Sequence, residues 1–390
     1  MVGLNQRGKP MSHKIRILEF SNFVNRHDFI DNIVRRADPE RLLVGLCVRT
    51  SSSNIAPTIY SDATPYWVIA GPGRTTLLKA AWQLASILRK WRADILHTHH
   101  FDQAVIGWLA TRIYPATRLV IGRHYSDAIY RLPEQGISES KKWAMLRVEQ
   151  MTNHAATRII VPSSFITEIL TNRQQIAAAK IDVIPYGIEP EKYETIDEQS
   201  IRSLREELNL EGRMVIATFA RLSEEKGHRF LLRAMKTVRE QVPNVLWLIV
   251  GEGSERAAIE REIQSAGIGD NVKLVGWRRD AMRIMAAVDV VVQPTLQEAF
   301  SQAMVEALWM EKPLVITDVS GAPDIIRNGE NGMLVPRGDS AALAAAIIQV
   351  AKDAALRERL GKAGRNYVGE NLVIDKIIGA YEAAFVRTLS

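Results

Sequence analysis

The chain has 390 residues, 47% apolar and 24% charged, the make-up of a soluble globular protein too long for one ordinary domain. Its single cysteine, Cys47, excludes an internal disulfide and a thiolate metal site. The net charge of +6 is uneven, +9 over residues 1–190 and −3 over residues 191–390, which favours an anionic partner for the first half and disfavours nucleic acid, since the cations are scattered and no aromatic-rich basic motif occurs. A basic surface that is merely solvated is an equally good reading of that charge.

In chain order, Lys14–Phe20, Arg41–Val48 and Tyr66–Ala70 read as strands. Thr75–Arg92 reads as a helix ending in cations, where a helix terminus favours them. Strands at Ile95–Thr98, Arg118–Ile121, Arg158–Val161 and Ile181–Ile184 alternate with helices at Ala104–Tyr114, Lys141–His154 and Ser164–Thr171. Glu189–Gly212 is charged and lacks apolar periodicity, so a domain boundary is placed there. A second series follows: strands at Met214–Phe219, Val245–Val250, Val272–Val275, Val290–Val292 and Leu314–Thr317, with helices at Gly227–Glu240, Glu255–Ala266, Asp280–Ala287, Gln302–Met310, Ala342–Ala351 and Leu356–Gly364. A break at Gly369–Leu372 precedes a last helix, Ile374–Val386. This alternation predicts parallel sheets covered on both faces, in an α/β protein of two doubly wound domains facing each other across a cleft. The expected domains are 11–190, 191–373 and a C-terminal helix at 374–390 packing toward the first. No apolar run can cross a bilayer and Met1–Pro10 lacks the apolar core of a signal peptide, so a cytoplasmic location is expected.

The chemistry concentrates around Leu296–Glu306. Glu298 falls in the turn after a buried strand and Glu306 one to two turns into the following helix, where both can face the crevice at the strand's carboxyl end. A helix start offers unpaired N–H groups to a phosphate, and an acid in the turn can accept hydrogen bonds from sugar hydroxyls. Arg221 and Lys226 lie five apart in the turn after the second domain's first strand, able to meet one diphosphate. Gly251 and Gly253 end the next strand, consistent with either a close ligand approach or a simple tight turn. Trp277 and Arg278 end the one after, as a base slot or as packing. In the first half, His97, His99 and His100 follow a strand and invite a metal reading, which is disfavoured because no acid or cysteine joins them at ligand spacing.

Arg221…Lys226-Gly227, Gly251-Glu252-Gly253, Val275-Gly276, the Glu298/Glu306 pair, Gly321–Ile326 and Asn331-Gly332, in this order and spacing, resemble the retaining GT-B glycosyltransferases of the family 4-like, group 1 kind. The match is strong over residues 180–340 and softer before them. The resemblance implies two Rossmann-like domains, acceptor-binding at 11–190 and donor-binding at 191–373. It implies that Arg221 and Lys226 hold the donor diphosphate, with the backbone of Phe300 and Ser301 over the phosphate. It places Glu298 at the donor-sugar hydroxyls and Glu306 at the ribose, and His124 near the reacting carbon. His97, His99 and Arg123 fall on the acceptor side. Two departures stand out: Glu19–Asn25 replaces the glycine-rich loop common after the first strand, and Ala299 stands where glycine is common.

No Asp-x-Asp occurs, so a divalent-metal diphosphate clamp of that type is absent, and the resemblance implies a retaining, metal-independent transfer with the nucleotide sugar as substrate, no cofactor and no metal. Partners implied are a nucleotide-sugar donor, a glycan or lipid-linked acceptor of cell-envelope or exopolysaccharide synthesis, and an anionic membrane surface on its inner face. The rival readings are a GT-B sugar-nucleotide epimerase and a non-catalytic nucleotide-sugar-binding subunit.

Overall fold

The strands are short, rich in Val, Ile and Leu and apolar along most of their length, as strands covered on both faces require. A computed structural model describes residues 14–22, 28–50, 64–71, 77–125, 138–193 and 196–390. Expectations for Met1–Pro10, for residues 23–25 of the loop after the first strand and for the first two residues of the Thr75–Arg92 helix lie outside them. The chain forms two units, Met1–Pro185 with Asp375–Ser390, and Tyr186–Ile374.

Unit 1 contains β1 (Ile15–Ser21), α1 (Asp28–Arg36), β2 (Leu42–Thr50), β3 (Tyr66–Ala70), α2 (Leu77–Trp91), β4 (Ile95–Thr98), α3 (Phe101–Ile113), β5 (Arg118–Gly122), α4 (Glu139–Ala155), β6 (Arg158–Val161), α5 (Ser164–Glu168) and β7 (Ile181–Val183). Its seven parallel strands run in the order 3-2-1-4-5-6-7, so the strand order reverses at β1 and β4. Ile15, Ile17, Leu18 and Phe20 of β1 and Ile95 and Leu96 of β4 are fully buried.

Unit 2 contains α6 (Glu198–Glu207), β8 (Met214–Phe219), α7 (His228–Gln241), β9 (Val245–Val250), α8 (Arg256–Ala266), β10 (Val272–Gly276), α9 (Ala281–Ala287), β11 (Val290–Gln293), α10 (Gln302–Trp309), β12 (Leu314–Thr317), α11 (Ala322–Ile325), β13 (Met333–Val335), α12 (Ser340–Lys352) and α13 (Ala354–Asn371). Its six parallel strands run 10-9-8-11-12-13, reversing at β8 and β11. The core on one face joins Trp247 and Ile249 of β9 and Val290 and Val292 of β11 to Leu231 and Met235 of α7 and Ile347 of α12.

Five elements differ from the sequence reading. α1, α11 and β13 are absent from it. α6 lies inside the charged boundary segment; Asp197 caps it by accepting from Ser200 N at 2.7 Å, and Leu204 is its one buried residue. α13 runs through Gly369 to Asn371, beyond the expected end at Gly364. Its glycines serve packing: a Cβ on Gly361 would come 2.2 Å from the Glu311 carbonyl oxygen.

The last helix, α14 (Ile374–Leu389), has all but its first residue in unit 1. Tyr381 and Phe385 are buried there and lie edge to face or tilted against His97. Glu382 accepts from Asp38 N at 2.6 Å, and Asp182 receives both Arg158, at 2.5 Å, and Arg387, at 2.7 Å. Those two guanidiniums outweigh burial and hold the Asp182 carboxyl below the usual range. Phe385→Ala is expected to lower unfolding free energy by about 3–5 kcal/mol, as for other buried aromatics; chemical denaturation followed by circular dichroism checks this.

Candidate active site

Beyond the carboxyl ends of β8, β9 and β11, where unit 2's strand order reverses, lies a cavity of about 500 Å3. Thr218, Val250 and Gln293 mark the strand ends, and Arg221, Lys226, Gly251, Trp277, Arg278, Glu298, Ser301 and Glu306 line it. The structure thus brings together eight residues singled out from the sequence. Phe300 and Gly253 are not among its walls.

The cavity is shaped by a close backbone approach. Gly227 has φ +69°, and a Cβ there would sit 2.0 Å from the Pro294 carbonyl oxygen. Only glycine fits, so the loop after β8 can lie against the turn after β11. Leu296 N donates to Glu225 O at 2.8 Å, fastening the two loops. Their side chains then meet: Lys226 Nζ lies 2.7 Å from Glu298 Oε1, with the side chains 13% and 23% exposed. Largely desolvated, this pair is stronger than a surface ion pair. Arg221 is different. Its side chain is 77% exposed and pairs with Glu225 at 3.2 Å, a weak contact that leaves it free to turn.

Glu298 is held from below. Its N–H donates to Ser320 Oγ at 2.9 Å, and the Ser320 hydroxyl donates to its carbonyl. Ser320 has φ +57°, a left-handed conformation costly for a side-chain-bearing residue, here stabilised by these bonds. Ala299 has no positive φ, so alanine in place of the family's usual glycine costs nothing. Ser301 caps α10, accepting from Met304 N at 3.2 Å and donating to Gln293 Oε1 at 2.7 Å. Glu306, half-buried, stands one turn along the same helix. Half-buried Tyr186 packs edge to face on Phe300, and desolvation, then the Glu298 charge, raises its phenol well above the usual range.

Several sequence expectations change. Arg278 lines the cavity but is fully engaged: Asp280 takes it bidentately at 2.7 and 2.8 Å and Glu207 at 3.1 Å. Trp277 is 67% exposed, so it is no packing residue. Gly253 is there for packing, since a Cβ would meet the Leu222 carbonyl oxygen at 2.3 Å. Phe300 is buried. In unit 1, Arg123 is 1% exposed and ion-paired with buried Glu149 at 3.2 Å, which turns it inward rather than toward an acceptor. His97 and His99 are likewise buried, and an acid does join them. Glu19 lies beside His97 in the β1–β4 register, receives His97 Nδ1 at 3.0 Å and His99 Nε2 at 2.7 Å, and is fully buried. Burial alone would raise its carboxyl, but the two imidazoles outweigh that and bring it down to about 2. His124, half-buried, meets His99 at 3.2 Å. The one hint of this in the sequence is an acid inside an apolar strand.

The chain's two halves match two family models, Glycosyl transferases group 1 over residues 200–367 and Glycosyltransferase Family 4 over residues 38–192. It belongs to the group 1 glycosyltransferases. Among relatives of this glycosyltransferase, a UDP-Gal:alpha-D-GlcNAc-diphosphoundecaprenol alpha-1,3-galactosyltransferase of Escherichia coli is 26% identical over 78% of this chain and 79% of its own. The capsular polysaccharide biosynthesis glycosyltransferase CapM of Staphylococcus aureus is 29% identical over 77% of this chain and 78% of its own. The fold is similar to that of Anabaena HepE solved in complex with UDP, with TM-score 0.76 and 23% identity over 94% of this chain and 98% of that one. It is similar also to a sucrose-phosphate synthase of Thermosynechococcus elongatus, with TM-score 0.77 and 22% identity over 96% and 99%.

Behind the cavity, His228 is 3% exposed, and neither ring nitrogen has a hydrogen-bond partner. Burial, then the Lys226 charge, lowers its pKa to about 4. The unfolded chain therefore binds the extra proton more readily. The stability this group confers is complete above its unfolded pKa and is lost as pH falls toward 4. From pH 7.5 to pH 5 the loss expected from this group is about 2 kcal/mol. Denaturant titrations at the two pH values should show it, and His228→Phe should remove most of that difference.

Proposed function

We propose that this glycosyltransferase is a retaining, metal-independent enzyme that moves a sugar from a nucleotide-sugar donor to a glycan or lipid-linked acceptor, in cell-envelope or exopolysaccharide synthesis. The observation that carries the reading is the Lys226–Glu298 pair at 2.7 Å inside the unit 2 cavity, flanked by Arg221 and Glu306. In this reading the donor diphosphate replaces Glu298 as the partner of Lys226. Arg221, mobile at the rim, swings onto the same group. Glu298, released, accepts from the donor-sugar hydroxyls, while Glu306 accepts from the ribose and Trp277 lies against the base. The helix start at Ser301 adds N–H dipoles toward the phosphate. The relatives' names and the UDP complex of HepE support uridine nucleotides as the first donors to test.

The transfer step in this reading is the family's front-face substitution. The acceptor oxygen bonds to the anomeric carbon as the carbon–oxygen bond to the diphosphate breaks, on the same face. A diphosphate oxygen takes the acceptor's proton, and nucleoside diphosphate leaves. Lys226 and Arg221 stabilise the charge that grows on it, a role filled by preorganised cations. The acceptor and His124 are assigned to unit 1 on family resemblance. The basic first half of the sequence supports an anionic membrane as the surface where a lipid-linked acceptor is met. Among the described residues, no helix is long and apolar enough to cross a membrane.

Lys226→Ala and Glu298→Gln should each lower sugar transfer by at least about 100-fold with the fold retained, and EDTA should leave wild-type turnover unchanged. A radiolabelled-sugar transfer assay checks all three; near-wild-type turnover in either variant overturns the site, and metal-restorable loss in EDTA overturns metal independence. Donor hydrolysis without acceptor separates the enzyme from a mere nucleotide-sugar binder. In a liposome co-sedimentation assay, the protein should pellet with vesicles containing anionic lipid and stay in solution with neutral ones; equal partition would refute the membrane assignment.

A further inference from the structure

Three helices of unit 1 carry a cluster of exposed large apolar side chains: Leu78 and Trp82 on α2, Ile113 on α3, and Trp143 and Met151 on α4. The helices form one layer. The steps from β3 to β4, β4 to β5 and β5 to β6 run the same way across the sheet, so right-handed crossovers put all three connecting helices on the same face. α3 packs against both α2 and α4. Such a layer needs apolar residues on its sheet side, and α2 buries Ala80, Ala81, Leu84, Ala85 and Leu88 there. Its Trp82, like Trp143 of α4, points the other way and adds nothing to the core.

Cations are interleaved with these residues. Leu78, Trp82 and Arg89 fall on one stripe of α2, and Trp143, Arg147 and Met151 on one stripe of α4. The Arg147 guanidinium lies over the Trp143 ring, 5.5 Å from its centre. Between α3 and α4 runs a groove of about 650 Å3, walled by Trp108 and Arg112 on one side and Arg147, Met151 and His154 on the other. The charge has one sign. Lys79, Arg89, Lys90, Arg112, Lys141 and Arg147 are exposed. Of the acids on these helices, Glu149 is buried, Asp102 holds Arg49 at 3.0 Å and Glu139 holds Lys142 at 2.7 Å. The centre of a protein–protein interface is poor in charge, lysine above all. Indoles beside long cationic side chains suit the headgroup layer of a bilayer, where the rings sit at the interface and the cations reach lipid phosphates.

We propose that the outer face of α2, α3 and α4 is the surface by which the enzyme sits on an anionic lipid bilayer. Trp82 and Trp143 are its aromatic anchors, and Arg112 and Arg147 meet lipid phosphates at the α3–α4 groove. This face presupposes the membrane-bound enzyme proposed above and names the part of the basic first half that makes the contact.

The test measures partition of the full-length chain onto phosphatidylcholine vesicles with and without phosphatidylglycerol, at low and high salt. Trp82→Ala with Trp143→Ala, and Arg112→Glu with Arg147→Glu, should each weaken binding to the anionic vesicles by at least about tenfold, with the wild-type far-ultraviolet spectrum retained. The arginine pair should also flatten the salt dependence, and the tryptophan pair should leave it. Lys236→Glu with Arg261→Glu makes the same charge change at exposed positions of unit 2 and should bind as the wild type does. Equal weakening by that control reduces the effect to net charge and overturns the face, as does wild-type binding in both face variants; either result leaves the membrane reading standing. Wild type that ignores anionic vesicles overturns the face together with that reading. A lipid-free dimer in analytical ultracentrifugation that the tryptophan pair breaks gives the face to a second copy of the chain and overturns the lipid assignment.

Discussion

The close approach of two backbone loops at Gly227 governs the rest of unit 2's chemistry. Because that residue lacks a side chain, the turn after β8 reaches the turn after β11, and Lys226 meets Glu298. A methyl group at Gly227 would strike the Pro294 carbonyl and push the loops apart, and the cavity would lose its charged centre without losing a single charged residue. The parallel sheet contributes the other half of the constraint. Its strands are filled with Val, Ile and Leu, so ionisable groups are expelled to strand ends, and the reversal of strand order leaves those ends open. The charges at the β8–β11 gap sit where the fold has nowhere else to put them.

Unit 1 follows the same logic with a different outcome. Its strand order also reverses, at β1 and β4, but the polar groups there are buried and paired. Glu19, which the structure places inside β1 and not in the loop after it, sits at that reversal as a carboxylate held by two imidazoles. A buried charge of this kind is retained only when its partners are in place. His97 has Tyr381 and Phe385 of α14 against it, so the polar cluster and the last helix stabilise each other.

The sequence made the α/β alternation and the donor-side residues legible, because both are local signals. Apolar runs bounded by glycine mark strands, and Arg221, Lys226, Glu298 and Glu306 fall in turns or first helical turns whose position follows from the strands. What escaped it was contact at a distance. Nothing in the order of residues says that Glu19 faces His97 across 78 positions, since that depends on register between β1 and β4. Arg123 read as a residue on the acceptor side because its partner, Glu149, lies on another element. Ser320 escaped for another reason: a serine in a left-handed conformation leaves no compositional trace.

The position of α14 bears on how the chain is made. Unit 1 is discontinuous: its last pieces of core, Tyr381 and Phe385, are encoded after the whole of unit 2. Domains generally fold as they emerge, amino-terminal first. Here the seven-stranded sheet leaves the ribosome with an apolar face uncovered and waits there while 189 residues of the second unit are synthesised. Unit 1, begun first, therefore completes its core only when the last residues of the chain have been made.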